Sequence, residues 1–545
     1  MTRTLGAVLS VALAFAGIAA QAARAQTLTG SVTSAEEGAM EGVLVSAQRD
    51  GSPITVTVVS DAQGRFRFPD GRLPGGQYSL RIRAVGYDLA GPRTATLGAA
   101  GADVALRLVK AADLAAQLTN TEWFISMPGA AEDKRPLIEC MSCHTLERIV
   151  RSTYSADAFV PVLTRMAQYA NNTIMARVQR RVAPGRVDED AVRKLAASLA
   201  AVNLSHGPAW TYELQTLPRP RGRATRAVIT EYDLPRQTIA PHDVRTDRDG
   251  RVWYSNFVEN VLGELDPETG ANRDYPVPLA KPGFPTGALD LETDTDGNLW
   301  LAMMFQSGLV RFDTASKSFQ RYPVDAALDD DAMQQSLVMP RASNVDGKVW
   351  TNDVARQSIM RLDLSTGHYE RIDPFRFLPK GRPHAPYGMA ADAQNNLYFM
   401  DFGDQNIGRV DAKTGASTIF PTPTEKSRPR RCMLDAQGRL WFAEFAANKL
   451  GLFDTRTESF KEWDAPTPYT YPYDVFADRN GELWSAGMAS DRVLRLDPRT
   501  GAAVEYLLPR PTNVRRVFVD NSTDPVTFWA GNNHGAEIIK LEPLD

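Results

Sequence analysis

The stretch Asp435-Ala436-Gln437-Gly438-Arg439-Leu440-Trp441-Phe442-Ala443-Glu444 is a polar turn running into a short apolar strand that carries a tryptophan. The pattern recurs. An aromatic residue after a polar turn stands at Trp253, Trp300, Trp350, Tyr398, Trp441, Trp484 and Trp529, spaced by 47, 50, 48, 43, 43 and 45 residues. Periods of this length with strand-like runs between them predict a β-propeller, and seven repeats predict seven blades. After Trp529 there is room for Glu537-Ile538-Ile539-Lys540-Leu541 but not for an outer strand. Ile229-Thr230-Glu231-Tyr232-Asp233-Leu234-Pro235, ahead of the first repeat, matches the other outer strands and is expected to complete the last blade, leaving no unpaired edge.

The repeat text, most clearly Asp435 to Glu444 with Asn448-Lys449-Leu450-Gly451 behind it, resembles the virginiamycin B lyase (streptogramin lyase) family of seven-bladed propellers over about 320 residues. That resemblance implies a metal-dependent lyase opening a cyclic ester, with a glutamate and histidine cluster on the channel holding magnesium. Glu444 stands in a matching tryptophan-phenylalanine-x-glutamate run. The histidine pattern departs: His242 fits a blade start, whereas His384 and His534 lie at non-equivalent places.

Upstream of the propeller the chain divides further. Residues 1–25 carry an early Arg3, an apolar run from Leu5 to Ala20 and Ala23-Arg24-Ala25, which reads as a secretory signal peptide. A periplasmic or secreted protein follows, with no membrane span. Residues 26–110 alternate apolar and polar residues in short runs, predicting a β-sandwich. The landmarks Gly30-Ser31-Val32, Gly42-Val43, Gly64-Arg65-Phe66, Leu73-Pro74-Gly75-Gly76-Gln77-Tyr78 and Val85-Gly86-Tyr87 resemble the carboxypeptidase regulatory-like domain, implying a binding or spacer module. A connector (111–135), a small all-α segment (136–207) and a Pro/Arg/Gly linker (208–226) lead to the propeller (227–545). The fold class expected is multidomain and mainly β.

The α segment opens with Cys140-Met141-Ser142-Cys143-His144. Two cysteines three apart followed by a histidine form the attachment signature of a c-type haem. A zinc site would need two further ligands, and Cys432 is far away in sequence. Cys140 and Cys143 are therefore the expected covalent anchors of haem c in a cytochrome c-like domain, and His144 is the expected proximal ligand. Met166 leads Met175 and His206 for the distal place, with an open iron as the remaining choice.

Aligning the repeats reads two rings of side chains. Three residues after each aromatic stand Asn256, Met303, Asp353, Asp401, Glu444, Gly487 and Asn532; Asp353, Asp401 and Glu444, on consecutive blades, are candidate ligands for magnesium or calcium. Near the start of each first strand stand His242, Leu289, Arg341, Tyr387, Arg430, Tyr473 and Arg515. His242, the two tyrosines and the three arginines are candidate catalytic or substrate-binding groups.

A formal net charge of -4 argues against nucleic acid as a partner. The leading expectation is a haem c protein, for electron transfer or as an oxidoreductase, meeting a redox partner protein or a small-molecule substrate. The alternatives are a lyase of carbon–oxygen bonds and a non-catalytic binding protein.

Overall fold

Along Gly76–Arg83 and Ala102–Lys110, Tyr78, Leu80, Leu106 and Leu108 are buried while their chain neighbours face water. This is the period-two pattern of strands with one wet face. The computed structural model describes residues 27–545 and sorts these strands into two sheets. One orders Gly38–Ala39, Leu28–Ser34, Ala102–Lys110 and Tyr87–Gly91, with Arg65–Arg67 also on Leu28–Ser34; the other orders Ile54–Val59, Leu44–Arg49, Gly76–Arg83 and Thr94–Leu97. Leu28, Val32, Val45, Val58, Phe66 and Leu106 belong to their common core. The expected leader, residues 1–25, lies outside the described residues.

Six four-stranded antiparallel sheets begin at Pro241, Leu291, Val338, Pro386, Pro429 and Pro472. A seventh set comprises Val514–Asp520, Thr527–Asn532, Glu537–Pro543 and Ala227–Asp233, with Ile229 opposite Leu541. The segment ahead of the first repeat thus supplies the missing outer strand. The first strand of each sheet neighbours the first strand of the next, and the seventh neighbours the first, so the ring closes. On its free side Ala227–Asp233 also pairs with Ile54–Val59, which makes one eight-stranded sheet out of the last blade and half of the first domain.

The tryptophan of a repeat has a polar job as well as an apolar one. Asp247 accepts the backbone N–H of Asp249 and Arg251 in the turn, each at 2.9 Å, and its second oxygen accepts the Trp253 indole N–H at 2.7 Å. The arrangement repeats at Asp294 with Trp300, Asp435 with Trp441 and Asp478 with Trp484, each at 2.9 Å. A buried indole needs such an acceptor.

Residues between the two β regions form short helices. Asn120–Ser126 starts with a reciprocal cap, Thr119 Oγ1 accepting from Glu122 N and Glu122 accepting from Thr119 N. Ala156–Met166 is capped by Ser155 and Glu189–Val202 by Asp188. The flanks expected to be connector and linker are pinned. Trp123 and Phe124 are fully buried, Phe124 stacks on Tyr469, and the Trp210 indole donates to the Val150 carbonyl at 3.1 Å. Arg219 pairs with Glu37 of the first domain. No helix among the described residues is long and apolar enough to cross a membrane.

Candidate functional site at the channel mouth

The fourth residue after each repeat aromatic is Phe257, Met304, Val354, Phe402, Phe445, Met488 or Asn533. Six of the seven are apolar, and all six belong to the cluster that also holds Leu137, Ile138, Met141, Leu146 and Phe159. This rim of the channel is where the helical segment docks. Removing so much apolar surface from water favours the cover at about 25 cal/mol per Å².

The Cys140-to-His144 motif lies at that interface. Arg515 donates to the Ser142 carbonyl at 2.6 Å, Asn513 to the Met141 carbonyl at 3.1 Å, and His534 Nε2 contacts the Ser142 carbonyl at 3.0 Å. Burial holds the His534 imidazole neutral by pushing its pKa down to about 3, so Nε2 carries a proton and donates. Cys143 N and His144 N both bond the Cys140 carbonyl at 3.3 Å, a single helical turn. Both thiols are free and are pushed upward by burial, Cys140 to about 12. His144 Nδ1 is 3.0 Å from the Thr145 carbonyl, and burial lowers its pKa, so the neutral ring donates there and presents Nε2 as a lone pair. Cys140, Cys143 and His144 do not form a group whose ligand atoms converge on one point, as a bare metal ion would need. Met166 is 37% and Met175 52% exposed, and His206 is exposed, so none belongs to the buried core around the motif.

The first-strand ring holds His242, Leu289, Tyr387, Arg430, Tyr473 and Arg515 as expected, but Arg341 is a correction. Met339 faces Trp350 as Arg245 faces Trp253, so the residue equivalent to His242 is Ser336. In this blade Ser343–Asp346 forms a helical turn, and counting back from the turn stops five residues short. Arg341 stands in the cleft at the far end of the channel, 3.8 Å from Glu292, with its side chain 52% exposed.

The carboxylates expected to share a cation also need correcting. Asp353, Asp401 and Glu444 end the second strands, and the two aspartates serve their own blades. Asp353 accepts from Gln334 N at 3.3 Å and lies 3.4 Å from Arg371. Asp401 accepts from Ala385 N, Gly403 N and Asn406. Neither oxygen of Glu444 has a partner; burial, with Glu462 nearby, pushes its pKa up to about 8. Among the described residues the group with converging metal-type ligand atoms is His384, Asp401 and Asp404 instead, where His384 Nδ1 is 2.7 Å from Asp401.

A second charged ring lies one residue beyond the first: Asp243, Asp290, Leu337, Gly388, Arg431, Asp474 and Arg516. Alternation would turn these away from the channel, but five of the seven first strands shift register here, between Pro241 and Val244, Pro386 and Met389, Pro429 and Cys432, Pro472 and Val475, and Val514 and Val517. An extra residue at a bulge lets two successive side chains reach one side. Arg431 bonds Asp290 at 2.7 Å and lies 3.4 Å from Asp243; Arg516 bonds Asp290 at 2.9 Å, lies 3.2 Å from Asp474 and also pairs with Glu292. Burial pushes Asp290 well above the usual carboxylate range despite Arg431, with Asp243 adding to the rise, and pushes Asp474 up to about 7.

A hydrogen-bond chain joins the two levels. Tyr387 and Tyr473 hydroxyls are 2.5 Å apart, Tyr473 is 3.4 Å from His242 Nε2, and His242 Nδ1 is 2.7 Å from Asp243. Burial, reinforced by Arg515 and Arg431, holds His242 neutral. The chain therefore links the two phenols to Asp243 through one neutral imidazole.

The virginiamycin B lyase family model matches residues 377–543, and the carboxypeptidase regulatory-like domain matches residues 27–109. Over those residues the propeller is similar to the virginiamycin B lyase family. A solved streptogramin B lyase is 22% identical, with a TM-score of 0.51 over 59% of this chain and 99% of that one. A selenomethionine-substituted virginiamycin B lyase from Staphylococcus aureus is 21% identical, with a TM-score of 0.49 over 58% and 99%. No curated protein matches. At this identity the likeness speaks for the fold.

Proposed function

We propose that the chain is a haem c protein of the periplasm or cell exterior, acting in electron transfer or as an oxidoreductase, with the covered channel mouth as its ligand or partner site. The observation that carries the reading is the docking of the Cys140-to-His144 turn onto Arg515, Asn513 and His534. Cys140 and Cys143 would hold the group by thioethers and His144 by Nε2. A second protein ligand would come from Met166, ahead of Met175 and His206, or would be lacking; all three side chains lie outside the buried core around the motif. When bound, haem c supplies one-electron redox chemistry. The protein's own part is to orient His144 through the Thr145 carbonyl, to exclude water with the apolar rim, and to hold Tyr387, Tyr473, His242 and Asp243 in one hydrogen-bonded chain. Producing the full chain alongside a c-type haem attachment apparatus tests this. We expect haem that survives acid–acetone extraction, is lost from Cys140→Ser/Cys143→Ser, and changes its visible spectrum in His144→Ala. Extractable haem, or none, sinks the reading.

The family resemblance favours a second reading, a lyase that opens a cyclic ester. His384, Asp401 and Asp404 would then hold magnesium or calcium, although Asp401 is already engaged by its own blade. A Glu444 carboxyl held protonated near neutral pH suits a general acid better than a base. Ring opening of a cyclic depsipeptide that needs added magnesium, persists in Cys140→Ser/Cys143→Ser and stops in Asp401→Asn would establish this reading in place of the first.

A further inference from the structure

Two guanidinium groups at the mouth carry a charge that nothing around them balances. Arg430 lies over Tyr473 at 3.7 Å, over Phe402 and Phe445 at 4.4 Å each, and 5.6 Å from the Tyr387 ring. Arg430 is half-buried, its Nε has no hydrogen-bond partner, and among the described residues no carboxylate forms an ion pair with it. Arg515 is 4% exposed, and its side chain bonds two neutral oxygens, Asn513 Oδ1 at 2.8 Å and the Ser142 carbonyl. Each cation lies in the other's field. Arg428, 4.1 Å from the Phe402 ring centre, adds a third positive group, with the exposed Glu139 3.9 Å away.

Buried charges are ordinarily paired, because desolvation without a counter-charge is costly. One residue deeper this protein follows the rule, with Arg431 and Arg516 both facing acids. At the mouth it does not. The covering segment meets Arg515 with the Ser142 carbonyl, and its nearest acid, Glu139, faces Arg428 from an exposed position. Two planar forks suit a carboxylate, and the four aromatic rings around Arg430 suit an apolar body carrying it.

We propose that the mouth is a carboxylate-binding site, in which Arg430 and Arg515 receive an acid group attached to an apolar or aromatic body. Two sources share this chemistry: the propionate side chains of a porphyrin attached at Cys140 and Cys143, and a free organic acid. The assignment rests on the arginines and does not require haem.

Benzoate and its neutral isostere benzamide, titrated calorimetrically into the full chain at constant ionic strength, test it. In chain produced without haem attachment, benzoate should bind saturably and at least tenfold more tightly than benzamide. Arg430→Gln and Arg515→Gln should each lose tenfold or more, while Arg341→Gln, at the far end of the channel, should bind as the parent does. Equal binding of benzoate and benzamide, or undiminished binding by both mouth variants, overturns the proposal; the parent contrast decides even if a variant misfolds. In haem-loaded chain, exclusion of benzoate assigns the site to propionates and persistence assigns it to a free acid. Failure of haem attachment would remove the redox reading and leave the haem-free titration standing.

Discussion

Arg430 and Arg431 are chain neighbours on one strand, yet they live under opposite electrostatic regimes. Arg431 sits in a ring that is matched within itself, with Asp243 and Asp290 across the channel. Arg430 sits in a ring of phenyl, phenol and imidazole groups with no acid. The inner level cements the ring of blades, and the outer level is left for something else to complete.

The largest expected effect comes from breaking the inner level. Arg431→Met leaves buried Asp243 and Asp290 short of a counter-charge and should cost ~3–5 kcal/mol in urea unfolding, whereas Arg430→Gln should change stability by no more than ~1 kcal/mol. Similar losses for the two would erase the distinction. Next, Phe445→Ala removes a fully buried ring from the rim and should cost ~3 kcal/mol. Faster proteolytic cutting within residues 111–226 would tie that loss to the cover rather than to the blades.

The smallest effect is a matter of pH. Glu444 is pushed up to about 8, above an unfolded value near 4.5, so the native state holds the extra proton between those values. Its contribution is complete below pH 4.5 and fades as pH rises through 8. Glu444→Gln should therefore leave stability at pH 4 unchanged and raise it at pH 8.5. His534 runs the other way. Its pKa of about 3 lies below the unfolded 6.5, so its share is complete above pH 6.5 and falls on acidification toward 3. His534→Gln should flatten the acid limb of the stability curve.

The architecture was legible because an aromatic after a polar turn recurs in every blade, and in four of them an aspartate closes that turn and accepts a buried indole. Ala227–Asp233 could be assigned to the last blade because an unpaired edge needs a partner. The first lining ring was legible too, except where the helical turn at Ser343–Asp346 displaced the count and put Arg341 in place of Ser336. The inner ring escaped because strand alternation forbids it; only the register shift after Pro241, Pro429 and their counterparts turns Asp243 and Arg431 inward. The rim of Phe257, Met304, Phe402, Phe445 and Met488 was open to the same alignment, one position beyond the ring that was read. The roles of Asp353 and Asp401 depended on loop N–H groups whose positions no repeat pattern encodes.

The strand Ala227–Asp233 is bonded to Glu537–Pro543 on one side and to Ile54–Val59 on the other. It is at once the seam of the ring and the attachment of the first domain. A pull on the chain near residue 27 would load that seam rather than a hinge, and heat should melt the last blade and the first domain together, as one calorimetric transition.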